Sequence, residues 1–225
     1  MPPEVRLDIF SDPVCPWCWI GKRLLDRALE AAPDHPFRLE WHPFRLTPDM
    51  PPGGIDRRLY LETKFGSQQA AVAALLPAVK AAEAAGLPLN LAAITRQPDT
   101  TDAHRLIHWA GLEGLQTPVV DALFTAALQQ GRDIGHADTL TEIGARAGLD
   151  APLLARLLAS DADRDAILAR EAHARARGIT GVPTFILADT HVLTGAQPTA
   201  LWREVIAELT GQTPAQPVPG PDNLT

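Results

Sequence analysis

The sequence predicts an α/β protein in which a βαβ unit and a ββα unit are separated along the chain by a large all-helical insertion. Two observations lead to this fold class. Apolar residues alternate with period two in short segments near both ends of the chain, which is typical of strands. The middle of the chain is rich in Ala and Leu at helical spacing. Hydrophobic residues make up 46% and charged residues 21% of the 225 residues, which is an ordinary globular composition.

The first unit begins with residues 5–10, where Val, Leu and Ile alternate with Arg and Asp after Glu4. Residues 20–32 follow as an amphipathic helix, which we expect Pro33 to end. Residues 37–44 alternate Phe37, Leu39 and Trp41 with polar neighbours and predict a second strand. Two strands joined by a helix form a parallel βαβ unit, and its expected hand is right-handed.

The insertion covers residues 55–178 and carries helix start and stop signals. Residues 103–113, 119–130 and 161–177 each predict a helix, and a glycine follows each of them. Asp138 and Asp150 are candidate caps of two further helices. Pro77 lies inside another helical pattern, which we expect it to kink or split.

The last unit contains two strands, residues 184–187 and 191–194, joined by a three-residue turn, and then a helix over 200–209. Together the βαβ and ββα halves predict one four-stranded sheet, the thioredoxin-like arrangement. The predicted domains are therefore 1–54 with 179–210 as the thioredoxin-like part, 55–178 as the inserted helical part, and 211–225 as a Pro-rich tail without assigned structure.

The charge balance and the lengths of the apolar segments exclude several function classes. The chain has 20 basic and 27 acidic side chains and a formal net charge of −7, which argues against binding to nucleic acid. No charge-free stretch is long enough to span a bilayer, so we expect no membrane partner. The first residues lack the basic start and apolar core of a secretory signal, and we therefore expect a cytoplasmic protein.

The two cysteines, Cys15 and Cys18, are the strongest functional signal. A chain of this size needs no disulfide to hold its core, and in a reducing compartment a disulfide is more often catalytic than structural. A zinc site is disfavoured because it needs two more ligands, and His35 and His42 lie outside the usual spacing. We expect no metal and no required cofactor.

The position of the C-x-x-C motif at a strand-to-helix junction predicts the role of each thiol. Cys15 lies at the helix N-terminus, where free N–H groups and the helix dipole stabilise a thiolate. Pro16 suits the first turn, where its missing N–H has no partner to lose. Cys18 lies one turn further on, so Cys15 is the expected nucleophile and Cys18 the resolving thiol.

A second signal lies at Val182-Pro183, immediately before a predicted strand. A cis peptide bond there would turn the Val182 amide and carbonyl outward for pairing with an extended peptide. The alternative is an ordinary trans proline at a strand start.

Three further groups of residues are candidates for supporting the thiols. Asp12 and His42 are candidate proton acceptors for Cys18, although His42 also fits a simple strand end. The aromatic residues Trp17, Trp19, Trp41 and Phe44 are candidates for an apolar lip around Cys15, although Trp19 and Trp41 fit the core equally well. Gln197-Pro198 opens the last helix, and because a helix N-terminus is an anion site, Ala196 and Gln197 are a candidate anion site.

Several motifs resemble the FrnE-like branch of the DsbA-family thioredoxin-fold oxidoreductases. They are Asp12-Pro13-Val14-Cys15-Pro16-Trp17-Cys18-Trp19-Ile20-Gly21, Trp41-His42-Pro43-Phe44-Arg45-Leu46, Ala103-His104-Arg105-Leu106, Gly181-Val182-Pro183-Thr184-Phe185 and Gly195-Ala196-Gln197-Pro198. The resemblance runs over about 5–209. It implies a thiol–disulfide oxidoreductase with Cys15 as nucleophile, Cys18 as resolving thiol and Pro183 as the cis-proline.

Two related branches, the kappa-class glutathione transferases and the 2-hydroxychromene-2-carboxylate isomerases, typically have serine at the position of Cys15 and use glutathione. The resemblance therefore implies a candidate glutathione site at Val182, Ala196 and Gln197. Secreted DsbA enzymes have a histidine inside the motif, where this chain has Trp17.

Together these observations predict a cytoplasmic protein disulfide oxidoreductase or isomerase. Its expected partners are disulfide- or thiol-containing proteins or small molecules, with glutathione as a candidate redox partner. The alternatives are a glutathione-dependent isomerase or transferase and a chaperone-like binding module. The substrate and the choice between monomer and homodimer stay open at this point.

Overall fold

A computed structural model describes residues 4–211 of the chain. Its central sheet has four strands in the order β2-β1-β5-β6. These strands are β1 (Val5–Ser11), β2 (Phe37–Pro43), β5 (Thr184–Leu187) and β6 (His191–Thr194). The predicted thioredoxin-like fold class is confirmed.

The register of the central sheet joins the two ends of the chain. Strand β1 pairs in parallel with β2, with Val5 opposite Phe37 and Ser11 opposite Pro43. On its other side β1 pairs antiparallel with β5, with Leu7 opposite Leu187. The predicted hairpin of β5 and β6 forms with the predicted bounds. The ends of β1 and β5 therefore lie side by side, although 173 positions separate Ser11 from Thr184 in the chain.

Helix α1 (Pro16–Glu30) begins four residues earlier than the apolar spacing predicts and ends before Ala31. The sequence pattern misses its first turn because Pro16 and Cys18 do not belong to the Leu and Ile stripe. Helix α1 packs against α9 (Thr199–Thr210), and Thr199 Oγ1 donates to the Leu24 carbonyl at 2.8 Å. Trp202 of α9 is fully buried against Phe185 and Phe37.

The insertion is mostly helical, as predicted, and also contains a short antiparallel sheet that the sequence does not predict. This sheet consists of β3 (Ile55–Asp56) and β4 (Arg96–Gln97). The helices of the insertion are α2 (Arg57–Phe65), α3 (Gln68–Ala84), α4 (Thr101–Leu112), α5 (Gln116–Phe124), α6 (Ala137–Ala147), α7 (Ala151–Leu158) and α8 (Arg164–Ala176). A 3-10 turn (Leu91–Ala93) precedes β4, and a π-helical segment (Thr125–Gln129) continues α5.

The start and stop signals in the sequence of the insertion predict only some of its helix caps and breaks correctly. Helix α3 runs on through Pro77 without being split. Asp150 caps α7 by accepting from the Leu153 amide at 2.6 Å, as predicted. Asp138 is not a cap, because His136 holds the N-cap position of α6 and Asp138 lies in its first turn.

The insertion is attached to the edge strand of the sheet by Gln116. Its side-chain oxygen accepts from the Trp41 amide at 2.8 Å, and its nitrogen donates to the Trp41 carbonyl at 3.1 Å. The Trp41 indole also donates to Thr117 Oγ1 at 3.0 Å. Gln116 thus occupies backbone groups that an edge strand would otherwise leave open.

The two faces of the central sheet pack against different elements. Leu7 and Ile9 belong to the main core with both cysteines and Trp41. Phe10 lies on the other face, in a smaller cluster with Ala174 of α8 and Ile186. This alternation follows from the period of two along a strand.

The exact boundaries between the thioredoxin-like part and the inserted part stay a prediction. The predicted Pro-rich tail lies, after Gly211, outside the described residues. Within 4–211, no helix combines the length and the apolar character needed to cross a membrane.

Candidate active site

Cys15 and Cys18 lie at the first turn of α1, and both are free thiols. Cys15 is the N-cap residue, and its sulfur accepts from the Cys18 backbone amide at 3.4 Å. Pro16 occupies the first helical position, where no N–H is needed. A thiolate at Cys15 would therefore receive a backbone hydrogen bond and the positive end of the helix dipole.

The loop before β5 lies directly against Cys15. The Val182–Pro183 peptide bond is cis, as the family resemblance implies. The Sγ atom of Cys15 lies 3.8 Å from the carbonyl oxygen of Val182. The Pro183 carbonyl accepts from the Gly195 amide at 2.8 Å, which ties this loop to the segment before α9. The dithiol and the cis-proline thus form one site.

Gly21 allows α1 to approach the cis-proline loop. A methyl group at this position would lie 3.2 Å from Pro183 Cγ and 3.4 Å from Ala196 Cα. Contacts of 3.2 Å are tighter than a Cβ usually makes, so glycine permits this close packing. The sequence marks Gly21 within the motif, but its contact with Pro183 requires the tertiary structure.

Cys18 is almost completely buried, at 1% exposure, and Cys15 is 4% exposed. Burial raises the pKa of the Cys18 thiol well above its ordinary value, and the neighbouring Cys15 raises it further. Hydrogen bonds from the Asp12 backbone and the Ser11 side chain act in the opposite direction. Cys18 therefore needs help to lose its proton.

Asp12 lies at the end of β1 and is completely buried. Its Oδ2 accepts from the Leu46 amide at 2.7 Å, and its carbonyl accepts from the Cys15 amide at 2.9 Å. Burial raises the pKa of the Asp12 carboxyl from 3.8 to about 6, although hydrogen bonds from Leu46 and Thr100 partly offset this effect. A buried carboxyl that titrates near neutral pH suits a proton acceptor.

His104 of α4 faces Asp12 from the insertion. Its Nε2 lies 3.8 Å from Asp12 Oδ1, and within the described residues neither atom has a hydrogen-bond partner. Burial, together with the charges of Arg45 and Arg170, lowers the pKa of His104 from 6.5 to about 3. The sequence shows His104 only as part of a motif, because its approach to Asp12 depends on how α4 packs on the sheet.

His42, the second predicted proton acceptor, lies in a different place. It is opposite Phe10 in the sheet and stacks on the Phe10 ring, on the face away from the main core. Its Nε2 lies 2.7 Å from Asp8 Oδ1, and its Nδ1 lies 3.1 Å from a guanidinium nitrogen of Arg170. The structure therefore brings Asp12, and not His42, to the dithiol motif.

The remaining candidate residues differ in exposure and in their position relative to the dithiol. Trp17 is 39% exposed beside Cys15, whereas Trp19, Trp41 and Phe44 are buried in the core. An apolar lip can therefore include Trp17 but not these three. Ala196 lies near Gly21, and the Gln197 side chain donates to the Thr194 and Gly195 carbonyls at 2.7 and 3.2 Å.

Arg105, which follows His104 in α4, has a structural role. It is completely buried and donates to the carbonyls of Leu157, Ser160 and Ala162, each at 2.7 Å. It also pairs with Asp102 at 2.9 Å. Arg105 thus holds the end of α7 and the following turn against α4.

Comparison with known proteins agrees with this fold over nearly the whole chain. The family profile of the DSBA-like thioredoxin domain matches residues 6–207. The uncharacterized protein YwbO of Bacillus subtilis (strain 168) is 28% identical over 205 residues, covering 91% of this chain and 96% of YwbO.

Two solved structures show the same overall architecture. The crystal structure of the probable DsbA oxidoreductase SCO1869 from Streptomyces coelicolor has a TM-score of 0.80 and 31% identity, covering 97% of each chain. The cytosolic disulfide reductase DsbM from Pseudomonas aeruginosa, solved with GSH, has a TM-score of 0.66 and 20% identity, covering 91% of this chain and 99% of DsbM. The likeness to DsbM concerns the fold alone.

Proposed function

The chain belongs to the DSBA-like thioredoxin domain family, and from this membership we propose that it is a cytoplasmic thiol–disulfide oxidoreductase that uses its Cys15-Pro16-Trp17-Cys18 motif. One observation carries the proposal. The Cys15 thiol caps α1 and lies 3.8 Å from the Val182 carbonyl, next to a cis-proline. An extended substrate segment can pair with the backbone at Val182 while its disulfide reaches Cys15.

In the first step, the Cys15 thiolate attacks one sulfur of the substrate disulfide. A Cys15–substrate disulfide forms, and the other substrate sulfur leaves as a thiolate that takes up a proton from solvent. The helix N-terminus and the Cys18 amide stabilise the attacking thiolate.

In the second step, Cys18 loses its proton and attacks the Cys15 sulfur. The Cys15–Cys18 disulfide forms and the second substrate thiol is released, so that the substrate gains two electrons and the dithiol loses two. We assign the acceptance of the Cys18 proton to the Asp12 carboxylate, because this buried group has a pKa raised to about 6. The same steps in reverse oxidise a dithiol substrate.

A thiol donor must return the dithiol to its reduced state, and we propose glutathione for this role. The fold that the chain shares with DsbM, which was solved with GSH, supports this choice. The candidate site consists of Val182, Ala196 and Gln197 near the N-terminus of α9. Isothermal titration with reduced or S-alkylated glutathione tests the site, and absence of binding would remove glutathione from the proposal.

The proposed oxidoreductase activity is tested by insulin reduction with dithiothreitol as electron source. We expect the wild type to accelerate the reaction and Cys15→Ser to abolish the acceleration, because serine cannot form a mixed disulfide. Activity that survives in Cys15→Ser would reject the dithiol mechanism. A folded wild type without reductase activity would instead favour the glutathione-dependent isomerase or transferase, or the chaperone-like binding module.

A further inference from the structure

A cleft of about 1060 Å³ lies on the side of the central sheet where Phe10 and His42 are found. Strands β1 and β2 form its floor, and α8 and the end of α4 form its walls. Neither Cys15 nor Cys18 lines it. Its volume is at the upper end of the range of small-molecule sites, so it can enclose an organic ligand.

Four arginine side chains line this cleft, in a chain whose net charge is −7: Arg6, Arg38, Arg170 and Arg177. Arg6 pairs with Asp8 at 3.0 Å and also with Asp189. Arg38 lies 2.8 Å from Glu4 and 3.6 Å from Glu40. The charges of Arg6 and Arg38 are thus compensated, whereas Arg170 and Arg177 form no salt bridge within residues 4–211.

Arg170 carries one of these uncompensated charges. Its two terminal nitrogens lie 3.3 Å from His108 Nδ1 and 3.1 Å from His42 Nδ1. Within residues 4–211, no carboxylate lies within 4.0 Å of its guanidinium. A half-buried cation without an anionic partner is unfavourable, so an anion that enters the cleft gains a strong interaction with Arg170.

The hydrogen bonds from Arg170 also fix the protonation state of His42 and His108. An arginine only donates, so both Nδ1 atoms must accept, and both rings are therefore neutral with their proton on Nε2. This agrees with the lowered pKa of His42 and of His108, for which burial is the main cause and the charge of Arg170 a further one. The guanidinium is held in place by two neutral groups and keeps N–H donors for a ligand.

The same arrangement disfavours a metal ion in this cleft. Asp8, Glu40 and His42 bring potential ligand atoms within 4.8 Å of one another. However, His42 Nε2 carries a proton that is donated to Asp8, and the nearby arginines repel a cation.

The lining also includes apolar side chains, Phe10, Leu39, Leu112, Pro118 and Ile186, beside the polar Gln116 and Thr117. We propose that this cleft binds an amphipathic carboxylate, whose carboxyl group pairs with Arg170 and whose apolar body packs on these side chains. The pairing is charge-assisted and can be bidentate, which adds orientation to affinity. The proposal is independent of the thiol chemistry, because the cleft and the dithiol use different residues.

Isothermal titration of the full chain with decanoate tests this site. We expect decanoate to bind the wild type, and Arg170→Gln to weaken binding about tenfold or more through loss of the charged hydrogen bonds. Arg156→Gln makes the same charge change at an exposed position outside the cleft and should leave the affinity unchanged. Decanol, which has the same chain without a charge, should bind more weakly than decanoate.

A second pair of variants guards against a folding defect in Arg170→Gln. Leu112 lines the cleft and is 72% exposed, so its substitution leaves the core intact. Leu112→Glu should weaken decanoate binding by repulsion relative to Leu112→Gln. The proposal is overturned if the wild type does not bind decanoate, if decanol binds as tightly, or if folded Arg170→Gln and Leu112→Glu both bind like their controls.

Discussion

Oδ1 of Asp12 and Nε2 of His104 face each other at 3.8 Å, and neither atom has another hydrogen-bond partner among the described residues. Burial shifts the two groups in opposite directions, since it raises the pKa of Asp12 to about 6 and lowers that of His104 to about 3. At mildly acidic pH the proton of this pair therefore resides on Asp12 and not on His104. The insertion thus places a neutral imidazole beside the buried Asp12 carboxyl.

The raised pKa of Asp12 predicts that Asp12→Asn stabilises the protein at alkaline pH. The folded-state pKa of about 6 exceeds the ordinary 3.8, so the stability linked to protonation is complete below pH 3.8 and is lost as the pH rises through 6. Asparagine stays neutral, so we expect a gain on the order of 3 kcal/mol in the free energy of unfolding at pH 8. Urea denaturation should show this gain becoming smaller as the pH falls to 5.

Asp49→Asn is the matched control for this effect, because Asp49 lies in an exposed loop. Its free energy of unfolding should follow that of the wild type at every pH. An Asp12→Asn variant that is less stable than the wild type at pH 8 would show that the buried Asp12 carboxylate does not destabilise the folded protein.

The same substitution should slow the resolving step. Because the pKa of Cys18 is raised by burial, loss of the Asp12 carboxylate removes the group to which its proton is assigned. In stopped flow with Ellman's reagent, attack by Cys15 releases one thionitrobenzoate and attack by Cys18 releases the second. We expect Asp12→Asn to slow the second release about a hundredfold and to affect the first much less.

Asp49→Asn should again match the wild type in both phases. If the second thionitrobenzoate is released as fast in Asp12→Asn as in the wild type, Asp12 is not the acceptor of the Cys18 proton.

The lowered pKa of His104 predicts a pH effect of the opposite sign. Its folded-state pKa of about 3 lies below the ordinary 6.5, so its contribution to stability is present above pH 6.5 and is lost as the pH falls. His104→Gln removes this loss. Between pH 8 and pH 5, the stability of the variant relative to the wild type should therefore rise by about 2 kcal/mol.

Urea denaturation at the two pH values provides the measurement, and His191→Gln at an exposed position provides the control. Only the change between pH 8 and pH 5 matters, because the substitution can also alter packing. A difference that is the same at both pH values would show that His104 titrates normally in the folded protein.

Arg105→Lys should destabilise the fold by about 2–4 kcal/mol, because lysine cannot reach the three buried carbonyls of Leu157, Ser160 and Ala162 at once. Arg156→Lys, on the exposed side of α7, should change stability by less than about 0.5 kcal/mol. Thermal unfolding compares the two variants. Equal stability of the two would contradict the structural role of Arg105.

Local sequence signals predict the parts of the fold that depend on short-range patterns. The hairpin of β5 and β6 has the predicted bounds, and Cys15 caps α1 because proline and the strand end define that junction. The sheet of β3 and β4 is not predicted, since strands of two residues show no alternation. The dithiol and Pro183 could be named from the sequence because both are part of motifs.

Long-range relationships in the site could not be predicted in the same way. The approach of His104 to Asp12 depends on the packing of α4, and no local pattern encodes a distance between residues 92 positions apart. In the sequence His42 is a candidate proton acceptor for Cys18 and also fits a simple strand end. The alternation along β2 turns it away from the face of Trp41. The pattern itself contained this information, because Trp41 and His42 are adjacent in one strand.

In the proposed mechanism, Cys15 attacks the substrate and Cys18 resolves the mixed disulfide. Mass spectrometry of the reduced variants Cys18→Ser and Cys15→Ser after incubation with a disulfide-containing peptide tests it directly. We predict a stable adduct of one peptide thiol on Cys15 in Cys18→Ser, and no adduct in Cys15→Ser, where Cys18 is buried and its pKa is raised. A peptide adduct on Cys18 in Cys15→Ser, with none on Cys15 in Cys18→Ser, would contradict it.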